Sequence, residues 1–342
     1  MKEGVQGKNL SISVLRILAT LAVVFLHTNS GILDRPDLFP LQGIQRDFLV
    51  LTKQYVNWAA PVFLMLTGTL LLRKEKQISF RECITRYAKR IVLALFFFGI
   101  IFSMMEIFLE SRKIYIGMVF DAAVRVLSGK SWAHLWYLYM LLGVYCALPI
   151  LKRYTDAAPR TELRSILIML FIVQTVIPVF EMMTGISIAF EIPVAAGTVF
   201  YLFLGKYLGD GLPGLFRNKK NAALYLVFAC VLAACAYFFT HDENLIEHFA
   251  PVYAVLVFSL FQNVAVPDRL HPIIWKLDRL CFGVYLVHPL FINFTYKVIK
   301  ITPFSFGCYG LMIVLFFLFF AICAFCASLI MSKIPFMKKH VL

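Results

Sequence analysis

Apolar residues gather into runs about as long as a bilayer crossing requires, roughly 20 residues each. Ten such runs occur: Leu10–Thr28, Tyr55–Leu72, Ile91–Glu110, Leu135–Leu151, Ser165–Met183, Ile192–Gly209, Ala222–Thr240, Phe249–Val266, Leu280–Ile299 and Phe306–Met331. Charged and polar residues collect between them. The pattern predicts an all-α, polytopic integral membrane protein with about ten transmembrane helices. It also predicts one transmembrane domain over residues 1–342, with no soluble extracytoplasmic domain and no internal repeat. The fifth run contains Pro178, and the last is unusually long. The first does not read as a cleaved signal, because it lacks a small-residue cleavage site and Arg16 interrupts it.

Composition agrees. Of 342 residues, 61% are hydrophobic and 15% charged, against roughly 45–50% and about 25% in soluble domains. A soluble enzyme and a disordered chain are excluded. A net charge of +14 would suggest nucleic acid in a soluble protein, but its distribution follows the positive-inside rule. With the N-terminus in the cytoplasm and the runs alternating, 23 of the 33 basic residues fall inside and nine outside, with Arg16 in a span. Both termini are expected in the cytoplasm. The segment Ser111–Ala133, with four basic residues, is the outer loop that runs against the rule. The eight cysteines are too dilute for a disulfide scaffold. Those in apolar runs, including Cys323 and Cys326, read as small buried hydrophobes rather than a metal or redox site.

The informative residues are polar ones inside apolar runs. A mid-membrane arginine costs roughly 2.5 kcal/mol or more, so Arg16 should face a cavity or a partner. His27 follows eleven residues later. Eleven steps of about 100° overshoot three turns by only about 20°, which places the two on one helix face about 16 Å apart. Snorkelling of Arg16 and an interfacial His27 would not account for the shared face. His134-Leu135-Trp136-Tyr137-Leu138 opens the fourth run and reads either as an aromatic belt or as part of a site. Gly283-Val284-Tyr285-Leu286-Val287-His288-Pro289 places a histidine and a helix breaker in the ninth, either as a kink with a satisfied histidine or as a cavity wall. Arg86, with Lys89 or Arg90 at i+3 or i+4, shares a face where the chain re-enters the membrane. That group is either a positive-inside flank or a grip on phosphates. No phosphate loop, nucleophile elbow, zinc helix or other metal site is present in the sequence.

In order along the chain, these segments resemble the membrane acyltransferase family 3. The resemblance rests on Arg16 and His27; Pro61, Phe63, Thr67 and Gly68; Arg86 to Arg90; His134 to Leu138; and Gly283 to His288. It covers nearly the whole chain. It implies transfer of an acyl group, usually acetyl, from cytoplasmic acyl-CoA to a hydroxyl of a cell-surface or lipid-linked glycan beyond the outer face of the plasma membrane. Acyl-CoA is then a substrate, and no bound cofactor and no nucleic-acid partner is expected. The resemblance makes His27 and Arg16 the catalytic candidates, and Arg86, Lys89, Arg90, His134, Trp136, Tyr137, Tyr285 and His288 the substrate and acyl-CoA contacts. His27 could act as the base or be acylated itself. Two positions depart from the family pattern. Thr67 stands where serine is common, and the basic pair is blurred into Arg86-x-x-Lys89-Arg90. A transporter or flippase of lipid-linked glycans is the rival reading, since helix breaks and buried charges suit it too.

Overall fold

A computed structural model describes residues 2–41, 43–189, 196–262 and 264–342. About 80% is helical, and no strand occurs among the described residues. The longer helices are α1 (Lys2–Leu33), α2 (Ile44–Gln54), α3 (Ala59–Leu71), α4 (Lys89–Ser111), α5 (Met118–Leu127), α6 (Trp136–Ala157), α7 (Arg160–Phe171), α8 (Ile177–Thr184), α9 (Ala196–Asp210), α10 (Lys219–Thr240), α11 (Ala250–Phe261), α12 (His271–Asn293) and α13 (Tyr309–Met331). Two π-helical segments, Cys83–Ala88 and Ile172–Val176, lead into α4 and join α7 to α8. A third, Phe294–Ile299, extends α12.

Every predicted apolar run falls on a helix, but not every helix has the length of a span. Among the described residues, seven helical stretches are long and apolar enough to cross a membrane. The other three runs fall on α3, α9 and α11, with 13, 15 and 12 residues. Thirteen residues of helix rise only about 20 Å, short of a hydrocarbon core of roughly 30 Å. Residues 192–195 of the sixth run lie outside the described residues. Pro178 stands just after the π-helical segment Ile172–Val176 inside one continuous helical stretch, Arg160–Thr184, where its missing N–H interrupts the α-helical ladder. The helix of the ninth run is longer than the run itself: α12 begins at His271, which places Lys276, Asp278 and Arg279 on the helix.

The outer surface carries large apolar side chains that no soluble protein would leave bare, such as Leu224, Val227, Phe228 and Phe239 on α10. Cys326 on α13 and Cys146 and Cys235 are exposed rather than buried, which corrects the expectation of core cysteines. They face outward because their helices bury only one side.

Glycine sets the closest helix contact. A Cβ on Gly68 of α3 would come 1.9 Å from the Leu202 carbonyl oxygen of α9. A Cβ on Gly205 would come equally close, 1.9 Å, to the Met65 oxygen. With no side chains between them, the backbones touch, and Thr69 Oγ1 donates across to the Gly205 carbonyl at 2.7 Å. Small residues that allow such approach are the usual glue of membrane helices. The glycine of the second-run motif is therefore explained by packing.

The segment after α4 is not a simple outer loop. α5 turns back along α4, so that Val126 packs on Gly99, well inside α4. Ser131 Oγ donates to the Gly99 carbonyl at 3.2 Å, and Tyr139 Oη donates to the Val126 carbonyl. Irregular backbone within a membrane protein is tolerated where protein groups satisfy it in this way. The turn delivers His134 to the interior.

Candidate functional site

A cavity of about 1000 Å³ runs between α1, α3, α4, α6 and α12. Arg16, His27, His134 and Tyr285, separated by as much as 269 positions in the 342-residue chain, all line it. The face shared by Arg16 and His27 on α1 is the wall of this cavity. Trp136 and Tyr137 also line it, with Trp136 still 54% exposed.

One end of the cavity is aromatic and imidazole-rich. The His27 and His288 ring centroids are 5.1 Å apart, those of His134 and His288 5.7 Å, and those of His27 and His134 6.4 Å. Tyr285 Oη donates to the His134 carbonyl at 2.5 Å, which ties α12 to the start of α6. Trp132 stacks on Phe102 at 4.2 Å beneath His134. Ser30 Oγ lies 3.4 Å from His27 Nδ1. His288 does not line the cavity: it is fully buried behind His27 and His134. Among the described residues, no group of three His, Cys, Asp or Glu side chains is arranged to hold a metal ion.

The other end is basic. Arg90, Lys276, Arg279 and Lys338 line it, with Tyr87 and Tyr145 between them. The Arg90 guanidinium lies 5.1 Å over the Phe282 ring and donates through Nε to the Val341 carbonyl at 3.0 Å. Of the basic group at the re-entry, only Arg90 lines the cavity. Lys89 is exposed and does not line it. Arg86 is 72% exposed and held by Glu82 on the same helical stretch, 3.1 Å away. Arg86 and Arg90 thus diverge: Arg86 lies in the π-helical segment with Glu82 at the surface, and Arg90 follows it in α4 against the cavity. Thr67 lines the cavity, but its hydroxyl donates to the Phe63 carbonyl of its own helix at 2.9 Å.

At the basic end, beside Lys276 and Arg279 on α12, lies an ion pair that sequence reasoning missed. Arg16 Nη1 donates to Asp278 Oδ1 at 2.5 Å, and Ser13 Oγ donates to Asp278 Oδ2 at 2.9 Å. Asp278 stands seven residues before Tyr285, about two helical turns, and so shares its face of α12. Lys276, Arg279 and Lys338 were likewise read only as inner-loop or tail charges. Extending the ninth run to His271 would have exposed the signal in Asp278.

Helix-bound charges around one cavity, in a chain of membrane-spanning helices, fit a catalyst or carrier working across a bilayer. Comparison with curated proteins and with solved structures returned no match. The family model described as an acyltransferase domain matches residues 9–333, nearly the whole chain, and the protein belongs to this acyltransferase family 3.

Proposed function

We propose that this membrane acyltransferase moves an acyl group, acetyl in the first instance, from cytoplasmic acyl-CoA to a hydroxyl of a cell-surface or lipid-linked glycan on the outer side of the plasma membrane. The observation that carries the reading is the polarity of this cavity, with Arg90, Lys276, Arg279 and Lys338 at one end and His27 and His134 at the other. Phosphates of an acyl-CoA suit the basic end, where arginine and lysine can make charge-assisted bonds. The charge distribution along the sequence favours a cytoplasmic location for that end and for both termini in a ten-helix topology. The thioester then reaches the histidine end through the membrane interior.

At that end an acceptor hydroxyl needs a base, and His27 is the imidazole that both borders the cavity and lies on the Arg16 face. Attack of the acceptor oxygen on the acyl carbon breaks the C–S bond. The acceptor proton passes through His27 to the leaving CoA thiolate. Arg16, about 16 Å along α1 from His27, suits the polar arm of the donor. Trp136 and Tyr137 offer flat faces of the kind that stack on a sugar ring.

The test uses membranes containing the full-length chain and acetyl-CoA labelled in its acetyl group, with label in membrane glycans as the readout. Wild-type membranes should transfer label, and His27→Ala should lose transfer by at least about 100-fold, the lower range for a general base, at unchanged protein level. Full transfer in a well-inserted His27→Ala protein would refute the role of His27. Membranes that consume no acetyl-CoA would move the assignment to transport of a lipid-linked glycan.

A further inference from the structure

Pro289 brings no N–H to α12. The carbonyl that this N–H would have bonded lies four residues back, on Tyr285. His288 fills the gap: its Nδ1 is 2.8 Å from the Tyr285 carbonyl oxygen and 3.1 Å from that of Val284. A carbonyl only accepts, so Nδ1 carries the proton, and in the neutral ring Nε2 is a bare lone pair. The backbone break at Pro289 thereby fixes the tautomer of His288.

Among the described residues that lone pair has no partner. His288 is 0% exposed, and its Nε2 is buried without a hydrogen bond. Leaving a buried acceptor unpaired is costly, and a helix kink alone does not require it. The ring nearest to it in the histidine cluster is His27, centroid to centroid 5.1 Å, with the planes tilted by 40°. His27 in turn borders the cavity.

We propose that His288 is the positioning residue for His27, its Nε2 receiving a hydrogen bond from His27 as that ring takes up the acceptor's proton. The inference rests on the acyl-transfer reading above. In the step, the acceptor O–H bond breaks and its proton goes to His27. The acceptor oxygen bonds the acyl carbon, and the C–S bond breaks with its electron pair on sulfur. The His27 imidazolium then holds two N–H groups. One is received by His288 Nε2, and the other returns its proton to the CoA thiolate. His288 keeps a single proton, on Nδ1, throughout.

Two amide variants separate this role from simple repair of the helix. His288→Asn keeps an N–H near the Nδ1 position for the Tyr285 carbonyl but has nothing at Nε2. His288→Gln places an amide oxygen near the Nε2 position and loses the Nδ1 donor. Full-length variants in membranes are assayed with labelled acetyl-CoA. The expected result is a His288→Asn protein inserted at wild-type level, with KM for acetyl-CoA within about twofold and kcat down by about 10- to 100-fold, the loss of one charge-assisted bond. His288→Gln should retain several-fold more kcat than His288→Asn. Wild-type kcat in His288→Asn, or Asn outperforming Gln, overturns the positioning role while the acyl-transfer reading stands. No transfer by the wild type overturns both.

Discussion

Arg16 on α1 and Asp278 on α12 hold one another at 2.5 Å in the cavity wall, with Ser13 completing the carboxylate's shell. The pair joins two packed helices that are far apart in sequence. It also answers how an arginine survives within an apolar run: its charge is met by a carboxylate and by the open cavity, with side-chain exposures of 29% and 16% for the two partners.

Removing Asp278 should therefore cost stability first. Breaking a fully buried pair costs about 3–5 kcal/mol. Here both side chains reach the cavity, so Asp278→Ala should cost about 1–3 kcal/mol, the range of one charged hydrogen bond. The Arg16→Ala, Asp278→Ala double variant should lose less than the sum of the two single changes. Thermal unfolding in detergent, run as a double-mutant cycle, checks this. Strictly additive losses would show that the pair contributes nothing.

Arg90 and Arg86 should part company in kinetics. Arg90 lines the cavity, whereas Arg86 is on the surface with Glu82. Arg90→Ala should raise KM for acetyl-CoA by about tenfold or more, the value of a charge-assisted phosphate contact, with a smaller effect on kcat. Arg86→Ala should leave both within about twofold, because exposed pairs contribute little. The reverse ranking, measured by initial rates against acetyl-CoA concentration, would place the donor phosphates elsewhere.

The α1 half of the site was legible because helix periodicity is local: eleven residues from Arg16 to His27 fix a common face whatever surrounds them. Asp278 was not legible. It sits among Lys276 and Arg279, and a hydropathy window sees such a cluster as the end of a span. Its partner lies on a neighbouring helix, at a separation of 262 positions. The divergence of Arg86 from Arg90 shows in their partners, Glu82 for the one and the Val341 carbonyl and Phe282 ring for the other, which spacing does not encode. Residues 111–133 were hidden for another reason. A helix that folds back on α4 carries the same mixture of apolar and basic residues as an interfacial loop, and only the Val126–Gly99 contact distinguishes them.

Gly68 should tolerate nothing larger. In Gly68→Ala the new methyl meets a backbone carbonyl oxygen at 1.9 Å, and backbone cannot rotate away as a side chain can. α3 and α9 would have to separate, breaking the Thr69–Gly205 hydrogen bond, at a cost of about 1–3 kcal/mol or more. Gly143, which has open space where a Cβ would go, is the control and should accept alanine with a loss of about 1 kcal/mol or less. Yield and melting temperature of the solubilised proteins give the comparison. Equal behaviour of the two variants would mean that the helices do not meet at Gly68.

The last prediction concerns sides of the membrane. If the basic end of the cavity faces the cytoplasm, the turn between α1 and α2 lies outside and the Lys74–Arg81 loop inside. Single cysteines in a background lacking the eight native ones, placed at Asp37 and at Lys74, should react differently with an impermeant thiol reagent on intact cells. Asp37 should label, and Lys74 should label only after lysis. Residues 111–133 sharpen the test. Arg112, at the left-handed turn that ends α4, should label from outside like Asp37. Val126, packed into α4 at Gly99, should resist the reagent on both sides, which a plain outer loop would not do. Ready labelling at position 126 would mean that α5 does not fold back, and that His134 reaches the cavity by another path. Labelling of positions 37 and 74 from the same side would remove the cytoplasmic assignment of Arg90, and with it the direction of acyl transfer.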